Sequence, residues 1–209
     1  MKKLVFDLDN TLYNPSSGVL NEIDKRINVF MKEVLELDGV DELRIFYRNT
    51  YGTTLLGLMR HYKVKPQDYL DFVHDIDYAN LLGKDCKLIE VLKDIDGEKI
   101  IFTNGSRLHA INTLSSLGIL EQFVEIFSIE DYLEFPKPFE PAYLKLIDKL
   151  SINPKESIYF EDSHRNLNAS KKFGFKTALV WSESEDFDYS FNTIYDIIRL
   201  KSSGEVNVG

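Results

Sequence analysis

Five short runs of apolar, β-favouring residues punctuate the chain: KLVFD (3–7), KIIFT (99–103), VEIFS (124–128), SIYFE (157–161) and TALVW (177–181). They are apolar nearly throughout and do not alternate, the pattern of strands covered by helices on both faces. From the second run onward the gaps carry helical periodicity, in RLHAINTLSSLGI, EPAYLKLIDKL and NLNASKKFGF, the first and last closed by Gly118 and Gly174. This alternation predicts an α/β fold, a doubly wound, Rossmann-like parallel sheet of about five strands.

About ninety residues separate the first two runs, far more than one crossover requires. Within them GVLNEIDKRINVFMKEVLEL, DELRIFYRNTYGTTLLGLMRHY and QDYLDFVHDIDYANLL repeat apolar residues at helical spacing, with no strand pattern. An inserted α-helical cap domain is therefore expected over residues 15–83, hinged by YNPSSG and LLGKD. Segments 1–14 and 84–209 would together form the core domain. The terminal SSGEVNVG reads as a frayed tail.

A chain of 209 residues that is 44% hydrophobic can bury a core and a smaller satellite domain. Its apolar runs are too short to span a bilayer, and MKKLVFDLDNTL places acids where a signal peptide needs an apolar stretch. A cytoplasmic location is the expectation. The single cysteine, Cys86, has no partner for an internal disulfide and reads as a small packed residue. A net charge of −9 argues against a nucleic-acid polymer or an anionic membrane as partner. A small anion can still be held locally by a metal ion, a lysine and free backbone N–H groups. Monomer and homodimer both remain open, because no long exposed apolar stripe separates them.

In open α/β sheets, ligands bind beyond the carboxyl ends of the strands, so the residues that close each run matter most. Asp7 and Asp9 close the first and, two apart on an extended chain, point to one side. The second ends in Thr103, followed by Asn104, Gly105 and a helix start, which together form an anion site. After the third, FPKPFEP holds Lys137 in a proline-restricted segment before a helix. The fourth ends in adjacent acids, Glu161 and Asp162, with Ser163 and Asn166 close behind. Adjacent acids at a buried strand end repel unless a cation lies between them.

DLDNT, FTNG, KP and FEDSHRN, in this order and at these intervals, resemble the four motifs of the haloacid dehalogenase superfamily, in its subfamily I with a helical cap. FDLDNTLYNPSSGV, YGTTLLGLMRHY, YLDFVHD and FTNGSRLHAINTLSSLGI further resemble its pyrimidine 5′-nucleotidase branch. Glu161 departs from the second aspartate usual in that branch, and a Glu-Asp pair also occurs in the superfamily's sugar-phosphate mutases. The resemblance implies a phosphomonoesterase in which Asp7 is the nucleophile, forming an aspartyl phosphate, and Asp9 the general acid and base. Thr103, Asn104, Gly105 and Lys137 would hold the phosphoryl group. Mg2+ would bind to the side chains of Asp7, Asp162 and Glu161, the last directly or through water, and to the backbone carbonyl of Asp9. Ser163 and Asn166 would position ligands rather than react.

The implied substrate is a small phosphorylated metabolite, a pyrimidine nucleoside 5′-monophosphate above others. Cap residues Tyr51, Leu55, His74 and Asp75 are candidates for specificity. A phosphosugar mutase, or another phosphotransferase of the superfamily, is the alternative; a non-catalytic phosphate binder ranks below both. A dehalogenase is disfavoured, since displacing halide needs neither an acid at position 9 nor a metal. No catalytic role is assigned to His61, His109 or His164, and the aromatics of RIFYRNTY and FDYSF are read as packing residues.

Overall fold

The computed structural model describes residues 2–202, so the expected tail, SSGEVNVG, lies outside the described residues apart from Ser202. Six parallel strands, β1 (Lys3–Phe6), β2 (Glu98–Phe102), β3 (Glu125–Phe127), β4 (Ile158–Glu161), β5 (Lys176–Val180) and β6 (Tyr189–Phe191), form one sheet. Their order is β3-β2-β1-β4-β5-β6. The expected count of about five is thus one short. The missed strand lies in FDYSF, a three-residue edge element that pairs Ala178 with Tyr189 and Val180 with Phe191. A run this brief carries too little periodicity to be read alone.

Strand order reverses about β1, and the crevice beyond β1 and β4 is the topological switch point where such sheets bind ligands. Leu4, Phe6, Ile101, Phe160 and Val180 face one hydrophobic core, and Val5, Ile100, Phe102, Tyr159 and Leu179 the other. All ten are at most 1% exposed. Burial on both faces is why these runs do not alternate.

Between β1 and β2 the described chain is helical: α1 (Val19–Val29), continued by a π-helical turn over Phe30–Val34, then α2 (Val40–Tyr51), α3 (Thr54–Tyr62), α4 (Pro66–Val73) and α5 (Tyr78–Leu81). α2 and α3 are separated at Gly52, and Thr53 caps α3 through the Leu56 N–H. Helix α6 (Cys86–Lys93) leads into β2, and α7 (Arg107–Leu117), α8 (Glu140–Lys149) and α9 (His164–Lys171) follow β2, β3 and β4. Gly118 closes α7 at φ +75, a left-handed conformation that suits glycine. Cys86 is exposed at the first turn of α6, so the packed role expected of it does not hold. No helix among the described residues is long and apolar enough to cross a membrane.

The inserted helices meet most closely where Gly57 of α3 faces Tyr47 of α2. A Cβ at position 57 would fall well inside van der Waals contact with Tyr47 Cβ, Cγ and Cδ1. Gly57→Ala is therefore expected to destabilise the protein by about 1–3 kcal/mol through overpacking, although alanine gains roughly 1 kcal/mol of helix propensity. Urea melts of the two proteins measure the difference. An unchanged or raised midpoint would contradict this approach of α2 to α3.

Candidate active site

Asp7 follows β1 directly, and its N–H extends the ladder to Phe160 O at 2.9 Å. The chain then coils through one turn, Leu12 N–H donating to Leu8 O at 3.1 Å, with Asn10 at φ +57, a left-handed conformation its side chain tolerates. That turn brings Tyr13 back over Asp9, and the Tyr13 hydroxyl donates to Asp9 Oδ1 at 2.5 Å. It also lets Thr11 Oγ1 donate to Asp7 Oδ2 at 3.1 Å.

Lys137 is 1% exposed although it sits in a loop. Its Nζ donates to Asp7 Oδ1 (2.6 Å), Phe102 O (2.7 Å) and Glu161 Oε2 (3.2 Å), and lies 3.1 Å from the Tyr159 hydroxyl. Burial by itself would lower its pKa. The ion pairs with Asp7 and Glu161 outweigh burial and hold the ammonium above its usual range. Asn104 fixes the loop: its Nδ2 donates to Lys137 O and its Oδ1 accepts the Lys137 N–H, each at 3.0 Å. The side chain of Asn104 is thereby committed to the lysine loop.

Oxygen atoms of Asp7, Glu161 and Asp162 all lie within 4.8 Å of one another. Burial, then repulsion from Glu161, raises Asp7 to about 7, with Lys137 pulling the other way. Burial, followed by Glu161 and Asp7, raises Asp162 to about 9. Three hard oxygen donors whose charges strain against one another suit a small divalent cation. Glu161 is the most engaged of the three, since Oε2 already takes bonds from Tyr159 (2.5 Å), Asn166 Nδ2 (3.0 Å) and Lys137, while Oε1 accepts the Ser163 N–H at 3.3 Å.

Thr103 Oγ1 accepts the Gly105 N–H at 2.9 Å, so the donor expected to reach a phosphoryl oxygen is turned inward here. The threonine keeps its own O–H to donate. Gly105 has no room for a side chain: a Cβ would lie 2.8 Å from His109 Cδ2 and 3.5 Å from Asp9 Oδ2.

His109 is the polar residue that sequence reasoning left out. It is fully buried in the first turns of α7, its Nε2 lies 2.7 Å from Asp9 Oδ1, and Tyr78 Oη lies 2.8 Å from its Nδ1. The Tyr78 hydroxyl donates to His74 O at 3.0 Å, so its oxygen takes the Nδ1–H of His109. Burial would raise Asp9, but His109 and the Tyr13 hydroxyl outweigh it and hold the carboxyl below its usual range. His74 stacks on His109 with ring centroids 4.5 Å apart, and burial pushes it down to about 3. His109 sits at helical spacing among LHAINTL, where it reads as a helix residue; no local signal marks it.

Of the four residues singled out in the inserted segment, Leu55 and His74 line the cavity that opens between these helices and the strand ends. The other two lie off it: Tyr51 is 3.0 Å from His61 Nε2, and Asp75, largely exposed, pairs with Arg26 at 3.3 Å. His164 packs edge-on against Phe187, with ring centroids 5.2 Å apart.

A family profile, Haloacid dehalogenase-like hydrolase, matches residues 4–180, from β1 to the end of β5. The chain belongs to this family of hydrolases. Phosphate metabolism protein 8 of Saccharomyces cerevisiae is 29% identical over 68% of this chain, which spans 47% of that protein's length. Phosphorylated carbohydrates phosphatase of Thermotoga maritima is 23% identical over 84% of this chain and 83% of its own. The solved L-2-haloacid dehalogenase of Xanthobacter autotrophicus superposes with a TM-score of 0.63 over 96% of this chain and 98% of its own, at 15% identity, a likeness of fold. The doubly wound sheet of the family is the one described above.

Proposed function

We propose that this hydrolase is a Mg2+-dependent phosphomonoesterase for a small phosphorylated metabolite, a pyrimidine nucleoside 5′-monophosphate above others. The observation that carries it is the joining of a buried Asp7–Lys137 pair and two further acids on one side with a separate Asp9–His109 pair on the other. Nucleophile and proton carrier thus have distinct surroundings, as two-step phosphoryl transfer demands. The phosphatase named among its relatives acts, by its name, on phosphorylated carbohydrates, which supports the reaction class.

In the proposed reaction a carboxylate oxygen of Asp7 attacks phosphorus and the bond to the leaving oxygen breaks. That oxygen takes a proton from Asp9, which His109 Nε2 contacts at 2.7 Å. Asp9 next accepts a proton from water, whose oxygen attacks the aspartyl phosphate and returns Asp7 and free phosphate. Lys137 and the Thr103 hydroxyl stabilise charge on the phosphoryl oxygens. Mg2+, when bound, neutralises the carboxylates and the phosphoryl group together. Asp7, Asp162 and the Asp9 carbonyl would hold it, with Glu161 beside it through charge or a water. The helical insertion is proposed to act as the cap that closes over the substrate.

The test is phosphate release from uridylate, cytidylate, sugar phosphates and an aromatic ester, in Mg2+ and in chelator. Release that needs Mg2+ and is fastest on uridylate or cytidylate is expected. Fastest release from a sugar phosphate would move the substrate assignment. No release from any member by folded protein would remove the phosphomonoesterase reading. Phosphoryl transfer to a sugar hydroxyl without free phosphate would put a mutase in its place.

A further inference from the structure

His109 is fully buried on α7, and each of its nitrogens has a partner. The Ser106 hydroxyl oxygen, which caps the helix, accepts the His109 N–H at 3.1 Å and so fixes its backbone. Gly105 leaves the space that the ring fills, since a Cβ there would lie 2.8 Å from His109 Cδ2. His74 covers one face of the ring at an interplanar angle of 15°, and its own Nδ1 lies 3.0 Å from Ser106 Oγ. Tyr78 Oη holds Nδ1 at 2.8 Å. A buried imidazole engaged in this way keeps one orientation.

In that orientation Nε2 lies 2.7 Å from Asp9 Oδ1. The Tyr13 hydroxyl reaches the same oxygen at 2.5 Å. Two partners anchor Oδ1, and Oδ2 is left without a hydrogen bond among the described residues. Oδ2 stands beside Gly105, 3.5 Å from where a Cβ would be. Asp9 and Gly105 both line the cavity of about 290 Å³ at the strand ends, whereas His109 does not. His109 therefore acts through Asp9 and not on the substrate.

We infer that His109 is a positioning residue for Asp9, and that Tyr78 of the inserted helices positions His109 in turn, so that Asp9 is aimed through Oδ2 while α5 is seated on α7. The inference rests on the phosphomonoesterase reading and deepens it. In the first step Oδ2 gives its proton to the leaving oxygen, which keeps the electron pair of the breaking P–O bond. In the second, the Oδ2 lone pair takes a proton from the attacking water. A misplacement of about 1 Å costs such a step about 10²-fold. The loss falls on esters whose leaving oxygen needs the proton, whereas a leaving group that is stable as an anion departs without it.

Single-turnover release of phenol from phenyl phosphate, and of 4-nitrophenol from 4-nitrophenyl phosphate, isolates the first step when enzyme is in excess and Mg2+ is present. His109→Phe keeps a buried ring but has no ring nitrogen. It is expected to slow phenyl phosphate about 10²-fold and 4-nitrophenyl phosphate less than about tenfold. The enzyme concentration at half-maximal rate should change little for either ester. His109→Gln, which returns a polar group to the neighbourhood of Nε2, is expected to recover part of the phenyl phosphate rate. Tyr78→Phe removes one hydroxyl and keeps the ring, and a loss of about fivefold is expected on phenyl phosphate alone, the effect of one neutral hydrogen bond.

Equal losses on the two esters, or no loss, in folded His109→Phe would overturn the positioning role while the phosphatase reading stood. Should His109→Phe not fold, His109→Gln and Tyr78→Phe decide: a larger loss on phenyl phosphate upholds the inference, and equal or absent losses overturn it. A selective loss in His109→Phe with Tyr78→Phe unaltered would overturn the part assigned to the inserted helices. If the wild type releases neither phenol nor 4-nitrophenol, the phosphomonoesterase reading fails and the role of His109 is overturned with it.

Discussion

Asp7→Asn is expected to lower turnover by at least about 10⁴-fold, the scale of removing a covalent nucleophile, while the protein stays folded. The amide matches the carboxylate in shape and can still accept a hydrogen bond where Lys137 Nζ now lies at 2.6 Å from Oδ1. It cannot form the acyl phosphate. Burial and Glu161 already press Asp7 toward its neutral form, raising it to about 7, so a neutral residue there relieves repulsion within the acid cluster. Metal-free Asp7→Asn should therefore melt no lower than the wild type. Single-turnover phosphate release and a thermal melt check the two halves. Turnover near that of the wild type would remove Asp7 from the chemistry, and loss of fold would make the kinetic result uninformative about it.

Lys137→Met should have the largest effect on stability. Replacing a fully buried ammonium leaves Asp7 and Glu161 facing each other without their shared cation. Breaking a buried ion pair by removing one partner costs about 3–5 kcal/mol, and that loss is expected in chelator. Mg2+ should restore part of it by supplying charge to the same oxygens. A loss of equal size with and without Mg2+ would argue that the acids do not hold the metal.

The same cluster sets a pH dependence in the metal-free wild type. A carboxyl raised in the folded state disfavours folding once the unfolded chain is ionised, and the penalty grows until the folded pKa is passed. For Asp7 that interval runs from 3.8 to about 7, and for Asp162 from 3.8 to about 9. His74 acts in the opposite direction below 6.5, because it is buried neutral and pushed down to about 3. Lys137, raised above 10.5, and Asp9, lowered below 3.8, contribute constant terms across the middle of the range. Above pH 6.5 the two raised acids still lower stability as pH rises, and the melting temperature in chelator should fall relative to that in Mg2+. A gap that does not widen with pH would count against a metal at these carboxylates.

Much of this protein is readable along the chain because its determinants are local. Continuous apolar runs mean strands buried on both faces. A strand end is marked by the abrupt arrival of Asp7, Thr103 or Glu161, and helical spacing between residues 19 and 81 needs no partner to be seen. Those features indicated the sheet and its parallel sense, and the resemblance of the motifs at the strand ends pointed to the family that the profile match shows. Strand β6 escaped because three residues acquire strand geometry only by pairing with β5. His109 escaped because it lies one hundred residues from Asp9, and nothing in a helical pattern says which buried polar group a distant acid will meet. Lys137 was expected at the site, but its burial and its grip on Asp7 depend on the side-chain amide of Asn104 thirty-three residues away. The sequence by itself thus determined which elements form and which chemical groups stand at their ends, since hydrophobic periodicity and backbone sterics act over a few residues. Only the tertiary structure decided which of those groups share a proton, a charge or a cavity, because burial and electrostatic coupling act between atoms that the fold, and not the chain order, makes neighbours.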